Sequence, residues 1–205
     1  DITDLFDPSI WYTVLEHFLG PARDHLLANV LSRRDAFRPA TVVREAETEA
    51  VVDDGMRRAM TLDDVSFIEE AFVERLKEVL APTLERLGMK GFPVGRIELQ
   101  VTASGDRDYF RMHRDSGDDS TRELSFVYFF HQEPRKFSGG ELRLYDDRGV
   151  QGRAHADRSQ LLSPRQDTIV FFPARSPHEL LPVRVYDGKF EHSRFTLNGW
   201  IHRAT

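Results

Sequence analysis

The segment Leu124-Ser-Phe-Val-Tyr-Phe-Phe130 is apolar at almost every position. A strand with one face in solvent alternates between polar and apolar residues, whereas a strand covered on both faces is apolar nearly throughout. The segment therefore predicts a buried strand over residues 124–131. We expect the longest helix of the chain to cover one face of this strand.

Further short runs of β-forming residues surround this strand in the second half of the chain. They lie at residues 97–102, 109–113, 141–145, 168–172, 179–185 and 194–201, and Gly, Pro and Asp stand between them. No helical pattern separates these runs, which favours an antiparallel sandwich or barrel. Residues 96–205 are therefore predicted to form a β-roll. Within it, Gly139-Gly140 is interpreted as a turn that needs positive φ.

The N-terminal part, residues 1–95, begins with two predicted helices. Asp7-Pro8 is a helix start signal and Gly20-Pro21 is a stop signal. We therefore expect one helix over residues 8–19 and a second over residues 23–33.

The longest helix follows a flap-like segment. Residues 41–60 predict a strand pair or a mobile flap. After it, apolar residues recur at three- and four-residue spacing up to Gly88. The cap of this helix is expected at Thr61 or Asp63, and Pro82 is expected to kink or divide it.

Length and composition exclude several classes of protein. A chain of 205 residues is predicted to form one domain, residues 1–205. The absence of Cys excludes disulfides and thiolate metal sites. A net charge of −6 predicts neither nucleic acid nor an anionic membrane as a partner. With no apolar run long enough for a membrane span and no basic leader, a cytoplasmic location is expected.

Any transition metal must then be held by His, Asp and Glu. On a strand, residues i and i+2 face the same side, so a His-x-Asp/Glu sequence can offer two ligands to one ion. The chain contains three such sequences, which begin at His113, His131 and His155. Because the last two lie in turn-like or irregular surroundings, we predict that His131 and His155 are surface residues.

His113 and Asp115 differ from the other pairs because they close a predicted strand and open a polar loop. Strand ends beside loops are common places for substrate-accessible sites. His178 also follows an apolar strand, and it is the candidate for a third ligand. Read alone, His178 fits a hydrogen-bonded turn histidine better than a metal ligand.

Six segments in this order resemble the iron(II)- and 2-oxoglutarate-dependent oxygenases, in their prolyl-4-hydroxylase-like branch. The segments are His113-x-Asp115, Arg122 to Phe130, Ser138-Gly-Gly-Glu-Leu142, Thr168-Ile-Val-Phe-Phe-Pro173, His178-Glu-Leu-Leu-Pro182 and Arg194-Phe-Thr-Leu-Asn-Gly-Trp200. The resemblance covers about half of the chain. It implies a mainly β fold with N-terminal helices, in which a double-stranded β-helix (jelly roll) packs against the helices.

The resemblance also implies a site. His113, Asp115 and His178 would be the iron ligands, and Arg194 with Thr196 would bind the distal carboxylate of 2-oxoglutarate. The residue types agree with these roles, because a 2-His-1-carboxylate set leaves coordination positions open and an arginine binds a carboxylate through two parallel hydrogen bonds. The implied cofactors are Fe(II), 2-oxoglutarate and O2, with ascorbate allowed as a supporting reductant.

The sequence departs from the family pattern just upstream of His113. The tyrosine that contacts 2-oxoglutarate in the family is therefore not assigned, and Tyr109, Tyr128 and Gln100 are the candidates. For His192 and His202 we expect solvent-exposed positions, with the rim of the pocket as the alternative.

The predicted activity is hydroxylation of an unactivated C–H bond with release of succinate and CO2. The expected substrate is proline-like or derived from an amino acid, either free or within a peptide. The alternatives are an iron halogenase, against which Asp115 argues, a cupin-like small-molecule enzyme, and a metal-free β-roll binding module.

Two polar segments, 45–54 and 116–121, lack apolar anchors and are predicted lids. Their acidic residues suggest a substrate that is neutral or cationic at its exposed end.

Overall fold

The structure is a computed structural model that describes residues 11–43, 50–117, 120–146 and 158–205. The helices are α1 (Ala22–Ser32) and α2 (Glu69–Arg86). The strands, numbered in chain order, are β1 (Thr13–Glu16), β2 (Arg38–Pro39), β3 (Val42–Val43), β4 (Ala50–Val51), β5 (Arg57–Arg58), β6 (Met60–Leu62), β7 (Val94–Ser104), β8 (Tyr109–His113), β9 (Arg122–Phe130), β10 (Phe137–Gly139), β11 (Leu142–Tyr145), β12 (Ser159–Leu162), β13 (Thr168–Pro173), β14 (His178–Leu180), β15 (Val183–Val185) and β16 (Arg194–Arg203).

Two sheets form the roll. The larger has the strand order β1-β13-β9-β16-β7-β6-β2, and the smaller has the order β12-β11-β14-β8-β5. From β7 onward the chain passes repeatedly from one sheet to the other, and every pairing is antiparallel. This arrangement is a double-stranded β-helix with helices added at its N-terminal side, so the predicted fold class is confirmed.

Strand β9 lies inside the larger sheet, between β13 and β16, and is covered on both faces. Phe126, Tyr128 and Phe130 belong to the core that includes Phe72 of helix α2, whereas Phe129 packs between the two sheets. The prediction from the continuous apolar run is therefore confirmed. Side chains along β9 thus alternate between the core beside helix α2, called the helix-side core below, and the space between the two sheets. This alternation decides which side chains face the site.

The predicted helix over residues 8–19 is wrong where the structure describes it, because Thr13–Glu16 forms strand β1. This strand pairs with β13 from Thr13↔Phe171 to Glu16↔Thr168. A short isolated helix gains little in water, whereas pairing with an exposed sheet edge satisfies the backbone of both strands. The start signal at residues 7–8 lies outside the described residues.

The long helix begins later than predicted. Thr61 belongs to strand β6, Asp63 accepts a hydrogen bond from the Gln100 side chain at 2.8 Å, and α2 starts only at Glu69. The helix then continues through Pro82 without dividing. Neither described helix is long and apolar enough to cross a membrane.

One further difference concerns a strand boundary. The predicted strand 179–185 is divided into β14 and β15, which belong to different sheets. The predicted strand pair near residues 41–60 is confirmed as β3 and β4. Most of the acidic residues in the two predicted lids, among them Glu47, Glu49, Asp118 and Asp119, lie outside the described residues.

Candidate active site

His113 and His178 stand directly opposite each other on the neighbouring antiparallel strands β8 and β14. Asp115 follows β8 by two residues. Nε2 of His113 lies 3.6 Å from Oδ1 of Asp115, and Nε2 of His178 lies 3.5 Å from Oδ2 of the same carboxylate. One ligand atom from each residue lies within 4.8 Å of the other two. The structure therefore brings all three predicted ligands together at one end of the roll.

Hydrogen bonds orient both imidazole rings. Nδ1 of His113 lies 2.8 Å from the carbonyl oxygen of Arg111, and Nδ1 of His178 lies 3.0 Å from that of Ser176. Because a carbonyl oxygen only accepts, Nδ1 carries the proton and Nε2 keeps its lone pair for a metal. Burial also lowers the pKa of His178 to about 4, so this ring is neutral near pH 7. This donor set fits a divalent iron ion with open coordination positions.

Asp115 is held in its ionised form. Burial on its own would raise the pKa of this carboxyl group, but the neighbouring His178 and His113 and the hydrogen bond from Ser125 lower it well below its usual range. Ser125 Oγ donates to Asp115 Oδ2 at 2.7 Å, and Arg122 donates to the Asp115 carbonyl oxygen at 3.2 Å. Both the side chain and the backbone of Asp115 are therefore fixed.

Arg194 lies in the same cavity and is only 3% exposed, so it is not a surface arginine. Its Nε donates to the carbonyl oxygen of Gly140 at 2.7 Å, and its guanidinium lies 5.1 Å from the Phe129 ring centre. Burial lowers its pKa to about 9, which leaves the group charged at neutral pH. The two terminal nitrogens donate to no residue that the structure describes, so they are available to an anionic ligand.

Gly139 and Gly140 have φ values of +69° and +71°, as the turn prediction requires. Gly140 has a second role, because a Cβ atom at this position would lie 2.6 Å from Cδ of Arg194. The turn therefore supplies both the space and the acceptor that place Arg194.

Strand β16 alternates between the cavity and the helix-side core. Arg194, Thr196, Asn198 and Trp200 line the cavity, while the residues between them face the other side or are glycine. Asn198 and Trp200 were not predicted as site residues. Every second residue of a strand faces the same side, so the positions of Arg194 and Thr196 also predict that Asn198 and Trp200 face the cavity. The polar Ser125 within the apolar strand β9 is a similar signal.

The three candidates for an additional 2-oxoglutarate contact lie in different surroundings. Tyr128 is excluded because it is fully buried in the helix-side core and donates to Asp167 Oδ1 at 2.8 Å. Gln100 bonds to Asp63 and Arg57. Tyr109 lines the cavity, and its hydroxyl donates to the carbonyl oxygen of Asp54 at 2.6 Å.

Two histidines that were predicted to be exposed are buried. His131 is 6% exposed and packs edge-on against Phe137, and His202 is also 6% exposed and contacts Thr121 and Glu98. Residues distant in sequence cover His202, whereas Phe137, six residues further along the chain, packs against His131. His192 is half-buried and pairs with Asp187 at 2.8 Å, while His155 lies outside the described residues.

Arg57 of strand β5 is a cavity residue that the sequence did not reveal. Its guanidinium stacks over Phe110 at 4.8 Å, and the Phe110 ring in turn stacks on His113 at 3.5 Å. Burial lowers the pKa of Arg57 to about 10, so it also stays charged. No motif marks this residue, because it lies in a short edge strand within the flap-like segment.

The fold and the site together define the class, a double-stranded β-helix protein with a 2-His-1-carboxylate group of the kind used by non-haem iron(II) oxygenases. The family model described as the 2OG-Fe(II) oxygenase superfamily matches residues 99–202, slightly more than half of the chain. The chain belongs to this superfamily, and the resemblance predicted from the sequence is confirmed.

Individual relatives agree with this assignment. The chain is 43% identical over 198 residues to an uncharacterized PKHD-type hydroxylase of Synechocystis sp., in a match that covers 94% of this chain and 63% of that protein. The chain thus spans less than two thirds of that relative.

Two solved structures share the fold. A prolyl-4-hydroxylase of Pseudomonas putida has a TM-score of 0.64 and 21% identity, and the match covers 100% of this chain and 97% of that chain. A prolyl hydroxylase of Trichoplax adhaerens, solved in complex with a hypoxia inducible factor peptide fragment, has a TM-score of 0.68 and 17% identity. That second match covers 94% of this chain and 84% of the other.

Proposed function

We propose that this protein hydroxylates an unactivated C–H bond in a reaction that depends on iron(II), 2-oxoglutarate and O2. The observation that carries the proposal is the convergence of His113, Asp115 and His178 in a cavity that also contains the buried Arg194. One 2-oxoglutarate, one O2 and one substrate C–H bond would give succinate, CO2 and one hydroxyl group. Iron(II), when bound, supplies the oxygen activation that this stoichiometry requires.

In this proposal the side chains bind and orient. His113 and His178 present Nε2 lone pairs, and Asp115 presents an ionised carboxylate that Ser125 keeps in place. Arg194 receives the distal carboxylate of 2-oxoglutarate through its terminal nitrogens. Thr196 lies two residues along the same strand face and supplies a hydroxyl group to the same anion. Ascorbate is included as a supporting reductant.

The presence of Asp115 supports hydroxylation over halogenation, because its carboxylate fills the position that a halogenase leaves to chloride. The substrate is proposed to be proline-like or derived from an amino acid. One oxygenase domain over residues 1–205 remains our prediction for the chain, and residues 45–54 and 116–121 remain its predicted lids.

The test is succinate formation from 2-oxoglutarate under air, with and without amino acids, proline-containing peptides and cell extracts. We expect succinate only when iron(II) is present, and more of it when the true substrate is added. A purified, iron-loaded protein that binds 2-oxoglutarate but forms no succinate with any addition would argue for a binding module.

A further inference from the structure

Arg57 has a charge that the described part of the protein does not neutralise directly. Its guanidinium donates to the Thr41 carbonyl oxygen at 3.2 Å, to Gln100 Oε1 at 3.3 Å and to Thr102 Oγ1 at 3.4 Å. All three acceptors are neutral, and all three distances exceed the usual 2.9–3.0 Å of such bonds. No carboxylate of the described residues forms an ion pair with it. Removing a cation partly from water in this way destabilises the protein unless an anion binds beside it.

When the metal ion and 2-oxoglutarate are bound, the other charges of the site cancel and the positive charge of Arg57 remains. Asp115 attracts Arg57 at longer range, but this carboxylate is a predicted metal ligand. A divalent ion, Asp115, dianionic 2-oxoglutarate and Arg194 together carry no net charge. Asp63 also attracts Arg57, but it is solvent-exposed and screened. A further anion in the cavity would therefore be bound favourably.

Arg57 reaches the cavity further along strand β16 than Arg194 does. Its partner Thr102 is paired with Thr196, and Gln100 is paired with Asn198. Thr196 and Asn198 lie two and four residues from Arg194, which is about 7 and 13 Å along a strand. One aromatic ring also separates Arg57 from the predicted metal site, because Arg57 stacks on Phe110 and Phe110 stacks on His113.

We propose that Arg57 binds a carboxylate of the organic substrate, and that the substrate is a free amino or imino acid. This inference rests on the proposed function and selects the free acid over the peptide. Among the described side chains, only the Phe110 ring lies between the Arg57 guanidinium and His113. A carboxylate bound by Arg57 is therefore only a few covalent bonds from the substrate carbon that reaches the metal site. Asn198 donates to Thr102 Oγ1 at 2.7 Å, and its amide oxygen accepts from no described residue, which leaves an acceptor for the substrate ammonium group.

The experiment measures binding to protein loaded with zinc(II) and saturating 2-oxoglutarate, a complex that does not turn over. The probes are L-proline, L-pipecolate, L-leucine and L-arginine, each with its carboxamide, and an acetylated Gly-Pro-Gly amide. Ligand-observed NMR gives the affinities. We expect at least one acid to bind at least tenfold more tightly than its amide. We expect Arg57→Gln to abolish that preference and Arg57→Lys to keep part of it.

The matched control is Arg58→Gln, because Arg58 is the neighbouring, more exposed arginine and lies 3.9 Å from Asp108. Thermal unfolding of each variant checks that it is folded. The inference is overturned if amides bind as well as acids, if no acid binds, if the capped peptide binds best, or if Arg57→Gln keeps the preference for acids. Failure of the wild-type protein to bind 2-oxoglutarate would instead contradict the proposed function.

Discussion

Ser125 donates a hydrogen bond from its hydroxyl group to Oδ2 of Asp115 at 2.7 Å, and Ser125 is only 1% exposed. Asp115 follows β8 by two residues, and Ser125 lies within β9. This bond leaves Oδ1 of Asp115 facing His113 at 3.6 Å. The serine therefore holds the carboxylate in one orientation, with Oδ1 near His113 and Oδ2 near His178.

Replacing Ser125 with Ala should weaken iron(II) binding by roughly tenfold, because an unsupported carboxylate loses its fixed orientation. Anaerobic titration calorimetry with iron(II) measures the change. Ser125→Thr keeps the hydroxyl group and should recover most of the affinity. Equal affinity in wild type and Ser125→Ala would show that this hydrogen bond does not position the ligand.

Removing a predicted metal ligand should weaken iron(II) binding more than removing a hydrogen bond to that ligand. We expect His178→Ala and Asp115→Ala to reduce iron(II) affinity by more than about 100-fold, beyond the range for an outer hydrogen-bond partner. His25→Ala is the control, since His25 is an exposed residue of helix α1. Thermal unfolding checks that the variants are folded. Wild-type iron content in His178→Ala would contradict the assignment of the triad.

Arg194→Ala should raise the dissociation constant of 2-oxoglutarate by about 30-fold, equivalent to about 2 kcal/mol at 1.4 kcal/mol per tenfold. Iron(II) binding should persist. Thr196→Val should have the same effect more weakly, because it removes only a neutral hydroxyl group. The charge-transfer absorption of the anaerobic complex reports binding. Unchanged affinity in Arg194→Ala would require a different anchor for the cosubstrate.

Gly199 lies in β16 where the Phe126 ring and the Glu98 carbonyl oxygen occupy the space of a side chain. Gly199→Ala should destabilise the fold by about 2 kcal/mol, since neither the backbone nor a buried ring can withdraw easily. Urea unfolding measures the difference. Gly91→Ala is the matched control, because a Cβ atom there meets no atom within 4 Å. A similar effect in both variants would contradict this explanation.

His131 should make the protein less stable in mild acid. Burial lowers the pKa of its imidazole below the ordinary value of 6.5, so the unfolded state binds the proton more readily. Stability is therefore expected to fall as the pH decreases below about 6.5. His131→Gln should reduce the loss in unfolding free energy between pH 7.5 and pH 5.5, whereas His25→Gln should not. The same pH dependence in wild type and His131→Gln would refute the prediction.

The sequence by itself determined the features that depend on local pattern and on order along the chain. The apolar run at Leu124–Phe130 indicated the doubly covered strand, and Gly139-Gly140 indicated the positive-φ turn. The order of His113, Asp115, His178 and Arg194 indicated the family. Strand alternation then also accounts for Thr196 and, in retrospect, for Asn198, because the period of two is a property of the strand itself.

Only the tertiary structure decided the features that depend on pairing between distant segments. Residues 13–16 lie between a helix start signal and a stop signal, yet they form a strand because the edge of β13 is available to them. His202 is buried against Thr121 and Glu98, which lie far along the chain, and no local pattern records that contact. Arg57 reaches the cavity because its strand pairs with β8 at Phe110, and the register His113↔His178 brings the two rings together. Such pairings are set by the free energy of the whole assembled sheet, to which the residues of any one segment contribute only a part.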